Sequence, residues 1–226
     1  MAQAQELRLV LATSLDGRLA PPAGGAAQLG GAGDRRVLEE ALAWADAVLI
    51  GAATLRAHRC TCLIRDVSLL HQRAQQGRSP QPDAVVVSRQ SNFPSDWLFF
   101  QQPLQRVLLG PKPAHAGFEG WVEPGISWPL SLSRLHQRGY TNVVVLGGAQ
   151  LAASLLAEDC IDELQLTLTP CLLGGDHSWI PAETPGAASL PLALADSGAW
   201  ALRESRALGG DELLVRYRRR RRLGND

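Results

Sequence analysis

The sequence predicts a single α/β domain with a mixed, mostly parallel central sheet flanked by helices, and three features carry that expectation. Short apolar runs recur in "DAVLIG", "AVVVS", "RVLLG" and "VVVLGG", too short for helices and uninterrupted, as strands buried on both faces are. Segments of helical spacing lie between them, an alternation that yields parallel strands joined by crossovers. The chain closes with "WALRESRAL" and "DELLVRYRR", which read as an antiparallel pair. A chain of 226 residues holds one sizeable core and is too short for two generous ones.

Each element follows in order. "ELRLVLAT" is the first strand, and "GDRRVLEEALAWA" is a helix with Asp34 as its N-cap. "DAVLIG" is a short buried strand ending at Gly51. Residues 52–83 are more polar, and within them "LLHQRAQQGRSPQP" reads as a helical turn followed by a loop. "AVVVS" and "RVLLG" are two further strands, and "PLSLSRLHQRGY" is a helix stopped by Gly139. The strand "VVVL" then ends abruptly at Gly147 and Gly148, after which Leu151, Leu155 and Leu156 recur at helical spacing up to Glu158 and Asp159. "IDELQLTLTP" alternates as a half-buried strand does, and a long Gly/Pro/Ala loop leads to the final pair. No internal repeat is visible.

Composition narrows the function classes. Lys plus Arg and Asp plus Glu stand at 22 each, so no net field recruits nucleic acid or an anionic membrane. No apolar run approaches the roughly 18 residues of a membrane span. "MAQAQELRLV" lacks a basic start and an apolar signal core, which points to the cytoplasm. Cys60, Cys62, Cys160 and Cys171 form no C-x-x-C pair, so reduced thiols and no metal site are expected. The arginine run at residues 218–222 reads as a solvated tail, giving a domain over residues 1–217 and a basic tail over 218–226. The tryptophans, among them Trp44, Trp128 and Trp200, are spread without stacking spacing and read as core or interface anchors.

The chemistry-bearing motifs sit at predicted strand ends, where ligands of parallel sheets bind. A glycine pair opening a helix removes the Cβ atoms that would keep an anion such as a pyrophosphate from the helix amides. The same pair also serves a tight turn that packs helix on strand with no ligand. "ATSLDGRLA" follows the first strand, with Asp16-Gly17 as a turn signal, and "IGAATLRA" follows the second. "VVVSR" places Ser88 and Arg89 past the third, a hydroxyl and a guanidinium suited to a phosphate.

With "SLDGRLA", "AVLIGAATLRA" and "VLGGAQLAASLLAEDCIDELQLTLTPCLLGG" in view, the chain resembles the reductase domain of riboflavin biosynthesis, whose fold is that of dihydrofolate reductase. The resemblance covers about residues 7–217. It implies a dihydrofolate-reductase-like sheet, a homodimer and NADPH as cofactor. The activity it implies is reduction of 5-amino-6-(5-phosphoribosylamino)uracil to the ribitylamino product. It implies a stand-alone reductase, since the chain carries no zinc-deaminase signature. Carried over by position, Gly147, Gly148, Ala149 and Gln150 hold the pyrophosphate, while Gly51, Ala53 and Thr54 line the cofactor groove. Ser88 and Arg89 meet the adenosine 2′-phosphate, favouring NADPH over NADH. Thr13 and Gly17 flank the nicotinamide beside the catalytic pair Ser14 and Asp16. Arg65, Arg56 and His58 form the substrate set, with Arg65 at the position of the family's "LTVR" arginine.

Three departures lie on the substrate side. Val10 stands where the family carries a lysine, Ala57-His58-Arg59-Cys60 replaces "ADDP", and Leu146 replaces an acidic residue before the glycine pair. They leave room for a different pterin-like or pyrimidine substrate, or for a catalytically idle nucleotide-binding protein. The expected mechanism opens the ribosylamino group to an imine and adds hydride to the former anomeric carbon. Asp16, a bound water or His58 supplies the proton at nitrogen.

Overall fold

The computed structural model describes residues 4–25, 29–113, 117–180 and 190–221. Part of the Gly/Pro/Ala loop, at residues 181–189, and the tail from Arg222 onward lie outside the described residues.

Among them, one sheet of nine strands runs β1 (Glu6–Ser14), β2 (Ala47–Gly51), β3 (Asp83–Val87), β4 (Arg106–Leu109), β5 (Gly120–Val122), β6 (Asn142–Val145), β7 (Glu163–Thr169), β8 (Trp200–Gly209) and β9 (Glu212–Arg219). The spatial order is β5-β4-β3-β2-β6-β1-β7-β9-β8. Every pairing from β5 across to β7 is parallel, and β7–β9 and β8–β9 are antiparallel. The α/β expectation is therefore met.

The strands read as apolar runs because both faces are covered. On one face Leu9 and Leu11 of β1 join Leu49, Val85, Val143 and Val145. They pack on Leu135 of α4 (Trp128–Gln137) and Leu151 and Leu155 of α5 (Ala149–Ala157). On the other, Val10, Val48, Val86 and Val144 pack on Ala41 and Leu42 of α1 (Ala32–Trp44) and Leu55 of α2 (Ala52–His58). Val10 and Leu146 thus serve packing, Val10 in this second core and Leu146 against its edge.

Several boundaries differ from the sequence reading. Gly31, not Asp34, precedes α1, and no side chain from the helix caps it. The cap comes from β9: the Glu212 carboxylate accepts from the Gly31 N–H and, at 3.1 Å, from the Asp34 N–H. Within the polar stretch lie two short helices, α2 and α3 (Val67–Gln75), each burying a single side chain, Leu55 and Arg73. An apolar period is invisible when a helix offers one buried position. Asp66 caps α3, accepting from the Ser68 and Leu69 N–H groups. The three-residue β5 also carries too little pattern to be read.

The solvated-tail expectation is corrected for residues 218–221. β9 continues through Arg218 and Arg219; the Arg219 guanidinium is buried against Asp159, 2.9 Å from Oδ1, and Arg218 pairs with Glu6. Arg221 pairs with Asp162 and donates to the Asp159 and Ile161 carbonyls. The acidic turn after α5 draws this basic run onto the body.

Candidate active site

The carboxyl ends of β1, β2, β3, β6 and β7 gather the motifs that the sequence analysis singled out. At the end of β6, Gly147 and Gly148 take φ values of 80° and 93°, which only glycine adopts without strain. A Cβ on Gly147 would meet Leu11 Cδ2 at 3.0 Å, and one on Gly148 would meet Thr54 Oγ1 at 2.9 Å. Thr54, in the first turn of α2, therefore stands directly over the glycine pair. A Cβ on Gly51, at the end of β2, would reach Leu151 in the first turn of α5 at 3.8 Å. Gly51, Thr54, Gly147 and Gly148 thus form one cluster. Ala149 is half-buried behind it, and Gln150 and Ala53 are exposed.

The second cluster is the turn after β1. The Ser14 hydroxyl donates to Asp16 Oδ1 at 2.5 Å and accepts from the Arg18 N–H at 2.9 Å. The Asp16 carboxylate accepts from the Leu173 N–H at 3.1 Å and the Gly174 N–H at 2.8 Å. Leu15 donates to the Cys171 carbonyl and Leu19 to the His177 carbonyl, both at 2.8 Å. The "SLDG" turn is thereby stitched to the "LLGG" segment. Buried Thr13 offers its carbonyl to the Thr169 hydroxyl at 3.0 Å, and the Trp179 ring lies beside Gly17.

This geometry fixes the charge of Asp16. The Ser14 hydroxyl, then the Leu173 and Gly174 amides, stabilise its anion and hold its carboxyl well below the usual carboxylate range. An ionised carboxylate only accepts, so Asp16 has no proton to give near neutrality. These bonds make Asp16 a structural staple of the turn.

The third cluster follows β3. Ser88 is buried, with its hydroxyl accepting from the Gln90 N–H at 3.1 Å, and Arg89 is exposed. Arg56 of α2 reaches this segment, donating to Gln90 Oε1 at 3.1 Å with its guanidinium 5.0 Å from the Phe93 ring. Arg56 accordingly stands against the Gln90–Phe93 segment that follows Ser88 and Arg89. His58 and Arg65 are exposed, and no hydrogen bond or ion pair joins their side chains to the "SLDG" turn among the described residues. Arg65 is tied through its backbone, whose N–H donates to Glu39 Oε2 at 2.7 Å.

The sequence reading missed the environment of Asp34. Its carboxyl lies against the Thr167 hydroxyl of β7, with Glu212 nearby; burial pushes its pKa up, the Thr167 hydrogen bond opposes that, and Glu212 raises it against a smaller pull from Arg35. Nothing local in the sequence brings Glu212 to this point.

Two clefts lie away from these clusters. One of about 460 Å³, lined by Ser79, Gln81, Gln102 and Gln105 among others, opens at the amino ends of β3 and β4. The other, about 310 Å³, lies between α1 and the β9 side of the sheet.

The family described as the RibD C-terminal domain matches residues 5–210. The chain belongs to that family. A 2,5-diamino-6-ribosylamino-4(3H)-pyrimidinone 5′-phosphate reductase of Archaeoglobus fulgidus is 24% identical over 74% of this chain and 81% of the relative. A pyrimidine reductase-like protein of Corynebacterium diphtheriae superposes with a TM-score of 0.76 at 20% identity, covering 96% of this chain and 93% of that one. Dihydrofolate reductase of Enterococcus faecalis, solved with NADP(H), matches at a TM-score of 0.55 and 15% identity over 100% of both chains. The dihydrofolate-reductase-like fold expected from the resemblance is thus present. No helix of the described residues is long and apolar enough to cross a membrane, and no cluster of candidate metal ligands occurs among them.

Proposed function

We propose that this protein is an NADPH-dependent reductase of riboflavin biosynthesis, acting on 5-amino-6-(5-phosphoribosylamino)uracil or its diaminopyrimidinone counterpart to give the ribitylamino product. One observation carries the reading: in a member of this reductase family, the glycine pair of α5, Thr54 and Gly51 converge at the carboxyl end of the sheet. The absence of Cβ atoms on Gly147 and Gly148 leaves the α5 amides open to a pyrophosphate. Ser88 and Arg89 would take the 2′-phosphate, which selects NADPH.

When bound, the nicotinamide supplies the hydride. The chain holds, orients and shields. The Gly147–Gly148 end anchors the dinucleotide, while the Ser14–Asp16 turn, locked to residues 171–174, fixes the wall beside Thr13 and Gly17. Rigid placement within near-attack distance, with water excluded, is the main task left to the protein. Buried Val10 and the core-packed Leu146 favour a second reading, a related reductase for another pyrimidine or pterin-like substrate.

Purified protein incubated with NADPH and each of the two pyrimidines, beside dihydrofolate and a no-substrate control, tests both readings. Oxidation of NADPH with a phosphoribosylaminopyrimidine alone is expected. NADPH binding with no pyrimidine turnover overturns the riboflavin assignment. Sedimentation of the same sample tests the proposed homodimer.

A further inference from the structure

A phosphoribosylamino substrate brings a phosphate anion to the site, and Arg65 alone was expected to meet it. Resting on the reductase reading above, we infer that Glu39 is a positioning residue for that phosphate. Its buried carboxylate docks the 63–66 segment onto α1 and aims Arg35 toward Arg65, so that two guanidiniums face the anion.

The first turn of α1 lies at the carboxyl end of the sheet. Glu212 accepts from the Gly31 and Asp34 N–H groups there. The residue after Glu212, Leu213, is in register with Leu168 of β7, and Thr169 beyond it is in register with Ser14 of β1. Arg35 therefore leaves α1 at the strand ends that carry the "SLDG" turn, and Glu39 lies one helical turn further along. From there the Arg35 guanidinium crosses to the segment between α2 and α3, where its Nη2 donates to the Leu63 carbonyl at 2.7 Å.

Glu39 joins the two sides. It is 6% exposed, its Oε1 accepts from Arg35 Nε at 2.6 Å, and its Oε2 accepts from the Arg65 and Asp66 N–H groups at 2.7 and 2.8 Å. One carboxylate thus binds the side chain of Arg35 and the backbone of Arg65, and charge-assisted bonds of this kind fix geometry as well as adding energy. The segment depends on such clamps, because residues 61–66 pair with no strand. The Gln102 amide brackets the N–H and carbonyl of Thr61, and the Gln81 amide brackets those of Ile64. Glu39 and Arg35 supply the remaining attachment, to α1.

The charges left over point outward. The Arg65 side chain is exposed and no carboxylate pairs with it among the described residues. The Arg35 side chain is 38% exposed, so part of its guanidinium meets solvent. Asp66, the nearest other anion, is occupied in capping α3, and Arg36 is drawn off by Glu40. Two neighbouring cations repel, and the buried anion between them offsets that repulsion while leaving their outer N–H groups for a ligand. Planar guanidiniums match the oxygens of a phosphate, which makes a phosphorylated sugar the class of ligand that this arrangement takes.

The readout is phosphate discrimination, the KM of the dephosphorylated ribosylaminopyrimidine divided by that of the phosphorylated one, measured on the full chain. Glutamine has one oxygen, which the Arg65 and Asp66 amides retain, so Glu39→Gln turns its NH2 group on Arg35. Glu39→Gln and Arg35→Gln should each lower discrimination by about tenfold, the scale of one charge-assisted hydrogen bond, with the loss falling on KM rather than kcat. The double variant should lose no more than either single one. A packing role would lower Tm and leave discrimination alone. A folded Glu39→Gln or Arg35→Gln enzyme with wild-type discrimination, or a double variant whose losses multiply, contradicts the inference and leaves the reductase reading intact. Calorimetry with ribose 5-phosphate needs no turnover: binding should weaken by about tenfold in both single variants, and equal affinity, or no binding to the wild type, overturns the inference. A wild type that reduces neither pyrimidine overturns the reductase reading instead, and the ribose 5-phosphate titration still decides the role of Glu39.

Discussion

The cofactor end and the turn end of the site stand on neighbouring strands yet are built in opposite ways. At Gly147–Gly148 the chain makes room by deleting side chains, and the nearest atoms, Leu11 Cδ2 and Thr54 Oγ1, already occupy the limit of that space. At Ser14–Asp16 it partners the Ser14 hydroxyl and both Asp16 carboxylate oxygens, so that one carboxylate ties two loops together. The first arrangement leaves backbone amides for a ligand, and the second leaves a rigid wall. A residue that looks catalytic by type can be spent on holding a wall, whereas a glycine that looks merely structural can be the binding group. The substrate-side replacements Val10 and Leu146 fall outside both clusters, in packing positions, which is why they leave the cofactor end intact.

Breaking the cofactor end should have the largest effect. In Gly148→Val the added side chain meets Thr54 Oγ1 at the first atom and must adopt φ near 93°. We expect about 1–3 kcal/mol of backbone strain and loss of measurable NADPH binding by calorimetry.

Next comes the turn. Asp16→Asn removes an anion that two amides and a hydroxyl hold, so amide hydrogen exchange at Leu173 and Gly174 should accelerate. A loosened wall should reduce kcat/KM by on the order of 10²-fold. The sign of its pH dependence follows from the depressed pKa. The contribution of Asp16 is present above its unfolded pKa and lost as pH falls through the folded one, so the wild type and Asp16→Asn should converge in Tm only in strong acid. Convergence near neutral pH would show that the carboxylate is not held.

A smaller effect is expected at the 2′-phosphate. Arg89→Gln should raise KM for NADPH by about tenfold, the scale of one charge-assisted hydrogen bond, and leave NADH unchanged. The smallest belongs to Arg56→Ala, which gives up an exposed bond to Gln90 and a cation–π contact of about 0.5–1 kcal/mol. A slight fall in Tm with NADPH affinity nearly unchanged would separate a strut from a ligand.

The parallel strands and the glycine pair were legible because their signals are local: an apolar run, then residues that only a sharp turn or a close approach needs. The antiparallel end was legible in "WALRESRAL" and "DELLVRYRR" for the same reason. What escaped was set by partners far along the chain. Asp34 reads as a cap, and only the arrival of Glu212, 178 residues later, displaces it from that role. Arg219 reads as tail until Asp159 meets it across the end of the sheet. Arg56 reads as a substrate group from its motif, yet α2 turns it toward Gln90. Ser14 and Asp16 share the turn that Asp16-Gly17 signals, whereas the charge of Asp16 rests on the Ser14 hydroxyl first and then on the Leu173 and Gly174 amides, whose arrival no local pattern announces.

The central claim is that this chain moves hydride from a nicotinamide to a ribosylaminopyrimidine. It is tested most directly by NADPH deuterated at the transferring position of C4, with the product read by mass spectrometry. The account predicts one deuterium on the former anomeric carbon of the ribityl chain, and none when Gly148→Val replaces the wild type. A product without label, or label retained on the nicotinamide while the pyrimidine is left unreduced, would contradict it.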